Sequence, residues 1–164
     1  MTAASNKSVR VAVLMGSQTD LAKMEKAAEI LKALEIAHEV KVISAHRLPD
    51  RVAEYAKTAE AKGIQILIAG AGMANHLAGA LAANTTLPVI GVPLSGSALD
   101  GVDALYSTVQ MPRGIPVATV AIDGAANAAF LAAEILALSD AVLKERLKKH
   151  RQQERAKLES ASAE

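Results

Sequence analysis

Five short apolar runs, each followed by a stretch with helical spacing, constrain this chain more than any other feature of its sequence. The runs at residues 9–15, 38–43, 64–69, 88–92 and 117–122 have the length and composition of strands. Between them, residues 21–34 place Leu21, Met24, Ala27, Ala28 and Leu31 on one helical face. Pro49 suits the first turn of a helix over 49–61, and Gly63 suits a left-handed stop after it. Further helices are expected over 75–83, 101–109 and 125–138. A final amphipathic helix is predicted over 140–157, with Leu143, Leu147 and Leu158 among charges. Alternating strands and helices demand parallel strands joined by crossovers, with helices on both faces of the sheet. The expected fold is therefore α/β, a three-layer αβα sandwich. One domain is expected over 9–138, after a disordered polar tail at 1–8 and before a C-terminal helix and tail at 139–164.

Composition narrows the class further. A chain of 164 residues is long enough for one domain with a full core. Hydrophobic residues make up 51% of it but aromatic residues only 2%, so Ala, Val, Ile and Leu must build that core. Such side chains let helices pack closely on a parallel sheet. The shortage of rings also removes platforms for stacking nucleic-acid bases. A formal net charge of +1 gives no pull toward nucleic acid or a membrane surface. Cysteine is absent, which excludes a disulfide framework, a thiolate nucleophile and a thiolate-ligated metal. The N-terminal residues lack a signal-peptide pattern, and no apolar stretch is long enough to span a bilayer, so cytoplasm is the expected compartment.

Three strand-to-helix junctions carry the polar chemistry. They are Gly16-Ser17-Gln18-Thr19-Asp20, Ser44-Ala45-His46-Arg47 and Gly70-Ala71-Gly72-Met73-Ala74-Asn75-His76. In a doubly wound parallel sheet, ligands bind beyond the carboxyl ends of the strands, where the strand order switches. A flavodoxin-like order puts strands one and three side by side there, and the three loops converge on one pocket. Gly16-Ser17 offers amides and a hydroxyl to an anion, or makes an ordinary turn with a Ser cap. Asp20 reads either as a partner for ribose hydroxyls or as a carboxylate favoured at a helix start. Gly70-Ala71-Gly72 matches a dinucleotide fingerprint poorly and reads better as close backbone approach to a ligand. Of the four histidines, His38 and His150 read as structural or solvated, whereas His46 and His76 lie at the ligand edge. Arg47 beside His46 pairs an anion-holding cation with a titratable imidazole. No His spacing suits a metal, and none is expected. The loop Gln110-Met111-Pro112-Arg113-Gly114-Ile115-Pro116 lines either the pocket or an interface.

Several linked motifs resemble one family. They are Met15-Gly16-Ser17-x-x-Asp20, Ser44-Ala45-His46-Arg47-x-Pro49, Ala69-Gly70-Ala71-Gly72, His76-Leu77, Leu87-Pro88-Val89-Ile90-Gly91-Val92-Pro93 and the stretch from Val109 to Pro116. Over residues 9–138 they resemble the catalytic subunit of phosphoribosylaminoimidazole carboxylase. Arg47 after His46, and His76-Leu77, fit its bacterial branch, the 5-(carboxyamino)imidazole ribonucleotide mutases. That pattern reads Gly-Ala-Gly-Gly-Ala-Ala-His-Leu-Pro-Gly, so Met73, Asn75 and Ala78 depart from it.

The resemblance implies an isomerase of purine biosynthesis that works without a cofactor. A carboxylate would pass from the exocyclic amine of an imidazole ribonucleotide to a ring carbon. His46 would be the general acid/base, with His76 beside it. Ser17, Ser44 and Arg47 would bind phosphate, and Asp20 the ribose. Gly16, Ala45, Gly70, Ala71, Gly72, Met73, Ala74 and Leu77 would enclose the nucleotide. A homo-octamer is implied, with residues 139–164 between subunits. The alternatives are a direct carboxylase using carbon dioxide and a non-catalytic nucleotide-binding module. A retained His46 weighs against the latter, because binding a phosphate needs no imidazole there.

Overall fold

The computed structural model describes residues 8–162. The expected N-terminal tail, apart from Ser8, lies outside the described residues. Five parallel strands stand in the order β2-β1-β3-β4-β5. They are β1 (Val11–Met15), β2 (His38–Val42), β3 (Ile66–Gly72), β4 (Val89–Leu94) and β5 (Ala118–Thr119). The helices are α1 (Leu21–Ala33), α2 (Pro49–Ala59), α3 (Leu77–Ala82), α4 (Val102–Val109), α5 (Ala125–Leu136) and α6 (Ala141–Ala161).

Pleating sorts the strand residues between two cores. Val11, Val13, Met15, Ile66, Ile68, Ile90 and Val92 pack against α1, α5 and α6. Ala12, Leu14, Leu67, Ala69 and Ala71 pack against α2 and α3. This is the doubly wound, flavodoxin-like sandwich that the alternating pattern predicts. Helix α2 begins with Pro49 in its first turn. It ends through a short 3-10 turn on Gly63, whose φ of 88° is the left-handed stop expected there.

Strand ends differ from expectation in an informative way. β3 continues through Gly70-Ala71-Gly72, which pair with Val92, Pro93 and Leu94. The glycines were expected in the loop, yet here they are ladder residues. A Cβ at position 70 would lie 2.2 Å from Met24 Sδ, so any larger residue there must displace the Met24 side chain. Met24 is fully buried, so α1 presses onto β3 through the space that Gly70 leaves. β5 shrinks to two paired residues, Ala118 and Thr119, opposite Ile90 and Gly91.

The terminal helix folds back on its own chain. Leu143 and Leu147 are buried in the α1/α5 core, 1% and 8% exposed. Residues 139–164 were expected between subunits, where these leucines could have docked on a neighbour or folded back on their own domain. Helix α5 is rich in Ala, so α6 comes close enough to bury those leucines intramolecularly. Phe130 stacks on His150, with ring centroids 5.1 Å apart, and extends the contact. Leu138, Val142 and Leu158 remain exposed.

Gly70→Ala is expected to cost about 1–3 kcal/mol, the usual scale for overpacking a core. Truncating the clashing partner should relieve it, so Gly70→Ala combined with Met24→Ala should lose less than the two single losses added. Urea unfolding of the three variants measures this coupling. Strict additivity would show that Met24 does not fill the glycine's space.

Candidate active site

The sheet order brings the C-terminal ends of β1 and β3 together, with β2 and β4 flanking them. Beyond those ends lies a cavity of about 540 Å³. Its wall includes Gly16, Ser17, Asp20, Ser44, Ala45, His46, Arg47, Ala71, Gly72, Met73, Ala74, His76 and Leu77. Thirteen of the fourteen residues singled out from the sequence thus share one cavity. Gly70 is the exception, set behind the wall against Met24. Residues 110–116 are also absent from this wall. Gly114, Ile115 and Pro116 line a separate hollow with Ala82 and Val89, away from the histidines.

The first loop combines both readings that its sequence permits. Ser17 caps a short 3-10 turn, its hydroxyl accepting the Thr19 amide at 3.4 Å. The Asp20 carboxylate accepts the Ser17 amide at 3.1 Å and completes a capping box. Both side chains still border the cavity. Burial raises the Asp20 carboxyl above its ordinary range, and the Ser17 N–H and the Lys23 charge oppose that rise in part.

The second loop sets the cation and the imidazole. The Ser44 hydroxyl accepts from both the backbone N–H and the Nε of Arg47, each at 3.3 Å. That fixes the base of the guanidinium arm and leaves its terminal fork available. His46 Nε2 and His76 Nδ1 are 2.6 Å apart, with the rings at 75°. At that distance one nitrogen must carry the proton and the other must be bare.

The family pattern of AIR carboxylase matches residues 10–157. The chain belongs to the AIR carboxylase family. It is 58% identical over 143 residues to the N5-carboxyaminoimidazole ribonucleotide mutase of Pyrococcus abyssi, covering 87% of this chain and 82% of that one. It is 57% identical over 144 residues to the Escherichia coli K12 protein of the same name, covering 87% and 85%. The crystal structure of Treponema denticola PurE superposes with a TM-score of 0.84 at 31% identity, covering 93% of this chain and 96% of that one.

The backbone is odd at position 73, where the mutase pattern that the motifs resemble carries glycine: Met73 has a φ of 55°. A side chain in that left-handed region costs about 1–2 kcal/mol. Helix α4 holds the loop against this strain. The Asn75 amide donates to Ser107 Oγ at 2.9 Å, and Asn75 Nδ2 donates to Thr108 Oγ1 at 2.9 Å. Asn75 and Thr108 are each 1% exposed. Thus one departure from the family pattern, Asn75, anchors the loop that another, Met73, strains.

Sequence reasoning missed the far side of the cavity. Lys23, Ser95, Gly96 and Ser97 also line it, as does Thr19 of the first loop. Ser95-Gly96-Ser97 directly follows β4 and is a fourth small-residue loop after a buried strand, which is the signal that was overlooked. Lys23 gave no such signal, because its partner Asp123 is 100 residues away. Asp123 accepts the Ser95 amide at 2.9 Å and its hydroxyl at 2.5 Å, and pairs with Lys23 at 3.0 Å. Burial acts to raise its carboxyl, but the two Ser95 donors and the Lys23 ammonium outweigh it and hold the group below its ordinary 3.8.

Asp123→Asn isolates that charge, since Asn also tolerates the left-handed φ of 56° found there. The native carboxylate's contribution is complete above its unfolded pKa and disappears as pH falls through the lower folded value. The variant should be about 1 kcal/mol less stable at neutral pH. That gap should close in acid, as read by urea unfolding at both pH values. An unchanged gap in acid would mean that the charge does not carry the effect.

Proposed function

We infer that this cavity is the active site of an isomerase of purine biosynthesis. The enzyme converts 5-carboxyamino-1-(5-phosphoribosyl)imidazole into 5-amino-1-(5-phosphoribosyl)imidazole-4-carboxylate. High identity to the mutases over most of the chain supports the reaction. The observation that supports its chemistry best is the His46–His76 contact beside Arg47, an acid/base pair next to a cation.

The proton balance suits that pair. Loss of carbon dioxide from the carbamate leaves the exocyclic nitrogen needing a proton. Attack of the electron-rich ring on carbon dioxide leaves the ring carbon with one proton too many. One proton enters and one leaves, so a single imidazole can give the first and take the second. In this reading His46 does so, and His76 holds the partner nitrogen that sets its tautomer. No redox change or co-substrate is needed for the atoms to balance.

The remaining wall residues divide by chemistry. Arg47 and Ser44, with Ser17, hold the phosphate, because a guanidinium fork matches phosphate oxygens. Asp20 accepts from the ribose hydroxyls. The backbone of Ala71 to Ala74, with Leu77 behind it, covers the imidazole. Closure over that apolar surface retains the carbon dioxide long enough for capture. We further propose a cytoplasmic homo-octamer in which α6, with exposed Val142 and Leu158, and the exposed Leu138 just before it meet neighbouring subunits. Among the described residues no helix is long and apolar enough to cross a membrane.

The purified chain should turn over synthetic carbamate nucleotide without ATP. His46→Asn should lower that turnover by about 100-fold or more, the scale of general acid–base catalysis. Nucleotide binding should persist, since Arg47, Ser44 and Ser17 remain. Near-normal turnover in the variant would take His46 out of the mechanism.

A further inference from the structure

We propose that Lys23 receives the carboxylate of the nucleotide, held in position for that task by Ser95 and Asp123. The assignment rests on the reaction inferred above and adds to it a residue that the family motifs do not supply.

Position comes first. Arg47 follows β2, and Ser95 follows β4. With the order β2-β1-β3-β4, these loops stand three strand spacings apart, roughly 14 Å. Lys23 lies in the first turn of α1 and lines the cavity on the Ser95 side. The cavity therefore has a cation toward each end. The inferred nucleotide likewise has an anion at each end, a phosphate and a carboxylate. Arg47 offers a planar fork suited to phosphate, and Lys23 a point charge with fewer free donors.

The Lys23 ammonium is held from behind. It donates to Ser95 Oγ and Asp123 Oδ2, with the latter at 3.1 Å. An ammonium has three N–H groups, so one remains for a ligand. The side chain is one-third exposed, 33%, which lets that donor reach the cavity. Asp123 does not line the cavity, and its backbone is strained at φ 56°. Among the described residues its carboxylate bonds only to Ser95 and Lys23, while its backbone N–H donates to the Pro93 carbonyl at 2.9 Å. Its geometry therefore serves the lysine and the Ser95 loop.

This pairing also fits the chemistry. The carboxylate must lose its charge when carbon dioxide leaves. A fully unpaired cation would stabilise the charged ground state and raise that barrier. Asp123 offsets most of the lysine's charge, so Lys23 can orient the carboxylate without trapping it.

Calorimetric binding of two stable nucleotides tests the assignment. One is aminoimidazole ribonucleotide, and the other is its 4-carboxylate. Lys23→Met should weaken the carboxylated nucleotide about tenfold, the scale of one charge-assisted hydrogen bond. It should leave the uncarboxylated one within about twofold. Lys23→Arg should keep most of the discrimination. Combining Lys23→Met with Asp123→Asn leaves no charge unpaired and should reproduce the single variant's pattern. Equal weakening of both nucleotides would place Lys23 on the phosphate and overturn the proposal. No weakening of either would overturn it as well. If the intact protein bound neither nucleotide, the functional reading of the cavity would fail, which is a different result.

Discussion

The pairing of β1 with β3 is the constraint on which the rest of the structure depends. Met15 stands opposite Gly70 in that ladder, and the Gly16 amide continues it by donating to the Gly70 carbonyl at 3.2 Å. The chain reaches this pairing only by first placing β2 on the outer side of β1 and then crossing back. The loops after β1 and β3 thereby diverge to opposite faces, and a crevice opens between them. Gly70 has no side chain and the buried Met24 fills that space, so α1 lies close against β3 just behind the cavity wall.

Legibility in the sequence followed the range of the interactions. Strand and helix positions are local, set by apolar runs, Pro49 and Gly63, and the structure places them within a few residues. Strand ends are less local. Whether Gly70-Ala71-Gly72 is loop or ladder depends on β4 lying alongside, which no pattern within those residues encodes. The direction in which Leu143 and Leu147 face depends on how closely an Ala-rich helix lets α6 approach. The same rule holds at the site. Loops one to three announce themselves by composition, and His46 with Arg47 is a local signal. Lys23 and Asp123 are joined only by the fold, and neither residue alone is unusual.

Departures from the family pattern form a coupled set. Met73 occupies a backbone region that suits glycine, and the loop keeps its course because Asn75 is bonded to α4 through Ser107 and Thr108. The Oδ1 of Asn75 is a buried acceptor without a partner among the described residues. Leaving it bare costs about 1–3 kcal/mol. The loop that carries His76 therefore stores strain at two adjacent points, and α4 is the element that restrains it. His76 meets His46 at 2.6 Å only while that loop holds its course.

At the centre of this account is a carboxylate that leaves nitrogen, stays in the cavity as carbon dioxide and returns on carbon. Isotope fate measures that directly. Substrate labelled in the carbamate carbon is turned over in unlabelled bicarbonate, without ATP, and the ring-carboxylated product is isolated. Retention of most of the label is the expected result, because the cavity wall keeps the carbon dioxide from exchange. Extensive washout, together with equally efficient carboxylation of aminoimidazole ribonucleotide by added bicarbonate, would contradict the account and make the chain a direct carboxylase.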